Sequence, residues 1–317
     1  MERSLGLGKM IHFLLKHPFA FALALHLFPS SIWGHNTPTG SMTYHNGPVL
    51  TGNINLAILW YGRFDLVEKE RIFSFIESLN HNGQIDLEPS ISSWWKVVES
   101  YQSAVLGAAP KKSSRIKIHV VSQVNVTNYF SGHDIDTPHF PRLLQLATNG
   151  THNVIPVIFA SKDVRVNGIC TAACYVHGFQ RETKKSYLVI ANPELMCPEK
   201  CAWPYHRGAM ALQGFTLQPQ SGDIGADAML IQFASGLVNV ITDPMQTGFV
   251  RGDNGKPLQV SNACKTIFGS GAFPGFTGKI RLDPRTGGVF NAHGKNGAKF
   301  LLPALWNPLS SSCWTPM

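Results

Sequence analysis

The six cysteines of this sequence fall into two closely spaced pairs and two isolated positions: Cys170 and Cys174, Cys197 and Cys201, Cys264, and Cys313. Two pairs with this spacing can bind zinc as four thiolates, or they can form disulfides in an oxidising compartment. An even number of cysteines behind an export signal favours disulfides. We therefore predict disulfides rather than a zinc site, and the sequence leaves their connectivity open.

The histidines are numerous but lack the spacing of a catalytic metal site. None of the 13 begins a His-Glu-x-x-His helix, the pattern with which a zincin binds zinc. His133 and His139 flank Asp134 and Asp136, but such residues in a loop more often form turns than bind a metal ion. His177 is expected to be a hydrogen-bonded structural imidazole.

Two short motifs are better explained as turns than as functional sites. Ser270 lies between two glycines, which approaches the Gly-x-Ser-x-Gly elbow of serine hydrolases, but it is in a glycine-rich loop rather than between a strand and a helix. The Arg-Gly-Asp tripeptide at 251–253 spells a cell-adhesion motif, and so short a match is weak evidence. We interpret both segments as turns.

The elements that must position these residues alternate between strand-like and helix-like patterns. Apolar runs and alternation predict strands, the fourth of them short enough for a sheet edge, at 55–60, 116–121, 154–160, 175–180 and 187–191. Helical spacing predicts helices after an N-cap at Asp65, from Ser92 or Ser93, over 138–147 and over 227–242. Because helices separate the early strands, we predict one α/β or mixed α+β domain. The stretch 252–297 lacks periodicity and predicts a surface segment, followed by a packed segment or strand at 300–306.

The first 34 residues have the pattern of a secretory signal peptide. Basic residues precede an apolar run over 19–28, and small residues follow it. A membrane anchor is the alternative, but it needs about twenty apolar residues, and Lys16 and His26 shorten this run. We predict removal of 1–34, a linker over 35–43 and one domain over 44–317. No later segment is expected to be long and apolar enough to span a membrane.

Two tripeptides fit export, because they have the form of N-glycosylation acceptors. They begin at Asn125 and Asn149, and neither contains proline. We therefore predict a secreted glycoprotein, with both asparagines as candidate sites.

Composition and charge exclude some broad classes. Apolar residues make up 44% of the chain and charged residues 15%, which excludes wholesale disorder. The formal net charge is +8, and removal of residues 1–34 would leave +6. No long block of Lys or Arg concentrates this charge, so we expect no nucleic-acid partner.

A set of motifs in a fixed order resembles one plant protein family. The motifs are YHNGPVLTG at 44–52, PSISSWW at 89–95, CTAACYVHG at 170–178, CPEKCAWP at 197–204, GDIGAD at 222–227, TDP at 242–244 and WNP at 306–308. Together they are similar to the EXORDIUM or phosphate-induced protein 1 family, over essentially all of the chain after about Pro38. The resemblance implies secretion into the apoplast and a role in hormone (brassinosteroid)-linked growth and development.

The resemblance also implies a zincin-like order of a mixed sheet followed by a long core helix. Many members carry a His-Glu-x-x-Glu helix before the Thr-Asp/Asn-Pro stop, and a Glu-x-x-Asp-x-Cys segment after it. At the matching positions this chain has Ser235, Gly236 and Asn239, then Gln259 and Asn262. These residues offer neither a strong zinc ligand nor a general base near neutral pH. We therefore expect no metal, no cofactor and no catalytic residue at these degenerate positions.

The expected activity is therefore binding rather than catalysis. The partner is unknown; a cell-wall polysaccharide or a receptor ectodomain is possible, and no membrane partner is expected after signal removal. The positive net charge fits weak, salt-sensitive attraction to acidic pectin. The alternative is a metal-dependent hydrolase of the extracellular space with unrecognised ligands such as His177, His206 and Asp223. A third interpretation is a purely structural wall protein.

Overall fold

The computed structural model of the chain describes residues 42–81, 87–105, 115–171, 173–208, 216–252, 258–273 and 275–317. The predicted signal peptide and nearly all of the predicted linker lie outside the described residues. Within them, six α-helices are present: α1 (Leu66–Asn80), α2 (Ile91–Val105), α3 (Phe140–Thr148), α4 (Pro193–Met196), α5 (Pro198–Cys201) and α6 (Ile224–Thr242).

The strands of the same residues are two to ten residues long. They are β1 (Thr43–Tyr44), β2 (Asn53–Tyr61), β3 (Lys117–Val126), β4 (Asp134–Ile135), β5 (Ile155–Ala160), β6 (Arg165–Val166), β7 (Tyr175–Gln180), β8 (Lys185–Ala191), β9 (Phe249–Arg251), β10 (Leu258–Gln259), β11 (Arg281–Leu282), β12 (Val289–Phe290), β13 (Ala292–His293), β14 (Lys299–Phe300), β15 (Leu305–Asn307) and β16 (Ser312–Trp314).

A five-stranded mixed sheet organises the fold, with the strand order β3-β2-β5-β8-β7. The strands β3, β2, β5 and β8 are parallel, and β7 pairs antiparallel with β8 at the edge. The predicted α/β or mixed α+β class is confirmed. The segment 175–180 also lies at a sheet edge, as its length indicates.

The two faces of the sheet are covered by different helices. Alternate residues of β2 point to opposite faces, so Trp60 joins the core formed with α1, α2 and α6, while Tyr61 joins the smaller core formed with α3. Trp94 and Trp95 of α2 are buried as expected, and each indole N–H donates to a backbone carbonyl. Because both faces are covered, the central strands consist mostly of apolar residues.

Local sequence determines where helices α1 and α6 begin. Asp65 is the N-cap of α1, as predicted, and its backbone N–H donates to Glu68 Oε2 at 2.6 Å. Asp223 caps α6 by accepting from the Ala226 N–H at 2.7 Å. This cap starts α6 three residues earlier than the apolar stripe alone predicts.

The GDIGAD motif holds α6 against the rest of the fold. Gly225 faces Asn192 so closely that a Cβ atom would lie 2.3 Å from the Asn192 Nδ2 atom. Asp227 forms a buried ion pair with Arg71 of α1, with 2.6 Å between Arg71 Nη2 and Asp227 Oδ1. These residues of the motif therefore have structural roles.

Helix α6 corrects the expectation that no later segment can span a membrane. Its 19 residues are long and apolar enough to do so by length and composition. Nearly all of its side chains are buried within the fold, however, and a core helix passes the same test.

The described part of the chain after α6 forms short antiparallel strand pairs, where the sequence predicts a surface segment without periodicity. Strand β9 pairs with both β1 and β10, and the other pairs are β11–β12, β13–β14 and β15–β16. Strands of two or three residues are too short to leave a recognisable alternation in the sequence.

Candidate functional site

Three of the five degenerate positions, Asn239, Gln259 and Asn262, belong to one hydrogen-bond cluster beside the C-terminal half of α6. Asn239 is fully buried, and its Nδ2 group donates to Tyr175 Oη at 2.5 Å and to Gln259 Oε1 at 3.1 Å. The Asn239 Oδ1 atom accepts from the Ser261 N–H at 3.1 Å. Tyr175 in turn donates to Asn262 Oδ1 at 2.9 Å. The polar atoms of Asn239 are thus paired within the protein.

The Gln259 amide links this cluster to Asp243 and His177. Its Nε2 group donates to Asp243 Oδ2 at 2.6 Å and lies 2.9 Å from His177 Nδ1. Because an amide N–H only donates, His177 Nδ1 must accept, which leaves the ring proton on Nε2. Burial lowers the pKa of His177, although Gln259, Asp243 and the Pro244 carbonyl favour the charged form. His177 is therefore bonded through Nδ1, and among the described residues its buried Nε2 has no hydrogen-bond partner.

The other two degenerate positions serve the packing of α6. The Ser235 hydroxyl donates to the Ile231 carbonyl of its own helix at 2.8 Å. At Gly236 a Cβ atom would lie 2.4 Å from Leu188 Cδ1 of β8, so glycine permits the helix to approach the sheet. Among the described residues, no hydrogen bond joins Ser235 to Asn239 or Gln259.

These residues do not fit the zinc ion of a zincin helix. Ser235, Gly236, Asn239 and Gln259 provide one back-bonded hydroxyl, no side chain and two amides committed to internal hydrogen bonds. Among the described residues, only Cys170, Cys197 and Cys201 form a group of three or more potential ligands close enough to share a metal ion. Their sulfurs are already in disulfides, so no catalytic step is assigned to a metal here.

The ligands considered for an alternative hydrolase are far apart. Asp223 caps the N-terminus of α6, whereas His177 lies beside Asp243 at the C-cap of the same helix. A helix of 19 residues is about 28 Å long. The His206 ring lies beside the Arg207 carbonyl, 3.1 Å from Nδ1. The structure therefore does not bring Asp223 and His177 into one site.

The loop after β3 does not gather its histidines and aspartates around a common point. His139 Nδ1 accepts from the Asp136 N–H at 3.0 Å, which makes a local turn. His133 stacks on Tyr129, with 4.1 Å between ring centroids. Asp134 lies beside Arg165 instead, at 3.7 Å.

A cluster that the sequence did not reveal lies at the carboxyl ends of β3 and β5. The Asp163 carboxylate accepts from Ser161 Oγ at 2.5 Å and from Tyr129 Oη at 2.8 Å. Burial acts to raise the pKa of Asp163, but these hydrogen bonds outweigh it and the pKa is lowered. His133 Nδ1 lies 3.5 Å from the same carboxylate. The parallel order of the strands is the signal that could have predicted this cluster, because the loops that follow parallel strands converge at one edge of the sheet.

The six cysteines form three disulfides, Cys170–Cys197, Cys174–Cys201 and Cys264–Cys313. The first two join the loop before β7 to the α4–α5 segment after β8. The prediction of disulfides is confirmed, and the connectivity that the sequence left open is resolved.

The remaining predicted sites lie on the surface or in turns. Asn125 is exposed on β3 and Asn149 is exposed at the C-cap of α3, so both acceptor asparagines are accessible. Ser270 lies in a packed loop, where its N–H donates to the Met317 carbonyl and its carbonyl accepts from Lys279. Arg251 lies over the ring of Trp306 at 5.4 Å, and residue 253 of the tripeptide is outside the described residues.

Comparisons with known proteins agree with the sequence motifs. The profile of the family described as "Phosphate-induced protein 1 conserved region" matches residues 42–316. The chain is 39% identical over 297 residues to "Protein EXORDIUM-like 6" of Arabidopsis thaliana, covering 84% of this chain and 89% of that protein. It is 35% identical to "Protein EXORDIUM" of the same plant over 283 residues, and 34% identical to "Protein PHOSPHATE-INDUCED 1" of Nicotiana tabacum over 282. Both matches cover 86% of this chain and 88% of the relative.

No solved structure matches this chain. The zincin-like order that the resemblance implies therefore stays a prediction, whereas the mixed α/β fold is described directly.

Proposed function

This chain belongs to the phosphate-induced protein 1, or EXORDIUM-like, family, and we propose that it is a secreted, non-catalytic factor of the plant cell-wall space. Its role is to support hormone (brassinosteroid)-linked growth by binding a component of the wall or of the cell surface. It uses no metal or cofactor at the degenerate positions of α6.

The observation that carries the non-catalytic part is the 3.1 Å hydrogen bond between Asn239 and Gln259. These residues stand where the resemblance places acidic groups, and here they are joined to each other and to Tyr175, Ser261, Asp243 and His177. A polar group that is already paired in the protein interior cannot bind a metal ion or activate water without losing that bond. The cluster therefore supports a structural role for these positions.

Three features support secretion. The pattern of residues 1–34 is that of a signal peptide, three disulfides fit an oxidising compartment, and both glycosylation tripeptides begin at exposed asparagines.

Secretion is tested by expressing the full chain in plant cells with a C-terminal tag, beside a variant that lacks residues 2–34. We expect the full chain in the extracellular fluid and the shortened chain inside the cells. Equal retention of both inside the cells would contradict secretion.

The non-catalytic role is tested in plants that lack this protein. We expect a reduced growth response to brassinosteroid, restored equally by the natural chain and by Ser235→Ala, because the Ser235 hydroxyl donates to a carbonyl of its own helix. The purified protein should also bind isolated wall fragments in a saturable manner. Failure to saturate would favour the purely structural interpretation, and a chelator-sensitive hydrolytic activity on wall polymers would favour the hydrolase.

A further inference from the structure

A cavity of about 460 Å³ lies at the carboxyl ends of the parallel strands, away from the α6 cluster. Its walls come from the segments after β3, β5 and β8, which include Asp136, Asn167 and Met196. In open α/β sheets, ligands bind in the crevice outside the carboxyl ends of the strands. The volume falls within the range of ligand pockets, about 300–1,000 Å³.

The floor of this cavity is apolar and its rim is polar. Ile135, Val166 and Ile169 line it, and each is at most 4% exposed. The rim consists of exposed side chains with hydrogen-bonding groups: Asp134, Asp136, Arg165, Asn167 and Thr171. A mostly apolar surface with a few placed polar groups is the usual composition of a small-molecule site.

The rim groups are available to a ligand at low cost. Asp134 and Arg165 are 75% and 78% exposed, and their charged groups are 3.7 Å apart. An exposed ion pair of this kind stabilises a protein by at most about 1 kcal/mol. Asp134 and Arg165 can therefore exchange this contact for hydrogen bonds to a ligand with little loss of free energy. Carboxylate, amide and guanidinium groups are planar and can each engage two neighbouring hydroxyls of a ligand.

The backbone beneath the rim is held in place before any ligand binds. The Arg165 N–H donates to the His133 carbonyl at 2.7 Å, and the Asn167 N–H donates to the Ile135 carbonyl at 2.8 Å. The Cys170–Cys197 disulfide ties the end of this loop to the segment after α4. A rigid rim lowers the entropy that binding must overcome.

The charge of the rim selects among wall polymers. The carboxylates of Asp134 and Asp136 offset the guanidinium of Arg165 and the ammonium of Lys200, which donates to the Cys170 carbonyl of the cavity wall. The rim therefore has no excess of positive charge to hold an acidic pectin chain, whereas a neutral sugar needs none. A sugar ring also matches the two surfaces, because its C–H face can lie on the apolar floor while its hydroxyls reach the rim.

We propose that this cavity binds a neutral, hydroxyl-rich saccharide unit of the cell wall. This inference rests on the proposed function, and it names the ligand class and the surface that the proposed function leaves unspecified. The net positive charge of the whole chain would attract acidic polymers only weakly, and at surfaces outside this cavity. Binding of a neutral saccharide in the cavity is therefore a separate effect.

The test uses the secreted, disulfide-intact protein and calorimetric titration with cellohexaose, xylohexaose and an oligogalacturonate of similar length. We expect binding of at least one neutral probe and no competition from the oligogalacturonate. Asn167→Ala should weaken binding about five- to tenfold, the effect of one lost hydrogen bond. Thr171→Trp should abolish it by filling the cavity. Both positions are exposed, so folding should be retained, and Asn128→Ala on an exposed loop outside the cavity is the matched control.

Three outcomes would overturn the inference: preference for the oligogalacturonate, neutral binding unchanged by both cavity variants, or no binding of any probe. Retention on isolated wall fragments separates this failure from that of the proposed function. If Thr171→Trp is retained as well as the natural chain, the cavity assignment is wrong and wall binding stands. If the natural chain is neither secreted nor retained, the proposed function itself is wrong.

Discussion

Replacing Asn239 with alanine removes the residue that joins α6 to the chain after it. Three hydrogen bonds disappear, to Tyr175, Gln259 and Ser261. Tyr175 keeps Asn262 and the Ser261 hydroxyl as partners. The Ser261 N–H and the Gln259 Oε1 atom lose the partner that Asn239 gives them. Ser261 is buried, whereas Gln259 is partly buried.

The expected loss of stability follows from the two polar groups that lose Asn239 as a hydrogen-bond partner. A buried donor or acceptor without a partner costs about 1–3 kcal/mol. The Ser261 N–H bears this cost in full, whereas the partly buried Gln259 oxygen can be hydrated, so we expect Asn239→Ala to lower the free energy of unfolding by about 1–4 kcal/mol.

Guanidinium denaturation with the disulfides intact measures this change. Asn128→Ala, at an exposed position, serves as the control and should change stability by less than about 0.5 kcal/mol. If Asn239→Ala were as stable as the control, the cluster would not hold α6 as described. If instead a chelator destabilised the natural chain as much as the substitution does, Asn239 would be acting beside a metal ion.

Further predictions concern the ion pairs and the surface. Arg71→Ala should lower the free energy of unfolding by about 3–5 kcal/mol in denaturation experiments, because it removes the ion-pair partner of the buried Asp227 side chain; an effect below about 1 kcal/mol would contradict the pairing. The hydrogen bond from Lys299, with that from the Arg285 N–H, lowers the pKa of Asp283 to about 2. Since this lies below the unfolded value, its stabilisation is present above about pH 4 and is lost as the pH falls toward 2, so Asp283→Asn should flatten the melting temperature over that range. An unchanged acid profile would refute this. Asn125 and Asn149 should each carry a glycan, and replacing either with glutamine should remove one glycosidase-sensitive mass shift; a mass that does not change would exclude that site.

Most of the sheet and its helices could be predicted because each has a local signal. The apolar run of β2, the cap at Asp65 and the apolar stripe of α6 follow from the residues themselves. The start of α6 was missed by three residues, because Asp223 caps it through a side chain that periodicity ignores. The short strands after α6 left no periodic signal.

The site was only partly predictable. The resemblance identifies Asn239 and Gln259 as degenerate positions, and the structure places them in contact. The role of Tyr175, which contacts both Asn239 and Asn262, has no local signal because it depends on how β7 pairs with β8. The cavity has no sequence signal for a related reason: its walls come from three separate segments that only the folding of the sheet brings together.

Zinc content of the secreted chain is the most direct measurement of whether the α6 positions are structural. The protein would be purified without chelators, dialysed and analysed by elemental mass spectrometry, beside Gln259→Ala. We predict far less than stoichiometric zinc in both proteins, and no change in melting temperature when zinc is added. One tightly held zinc ion per chain in the natural protein, lost in Gln259→Ala, would contradict the assignment of Asn239 and Gln259 to an internal hydrogen-bond cluster.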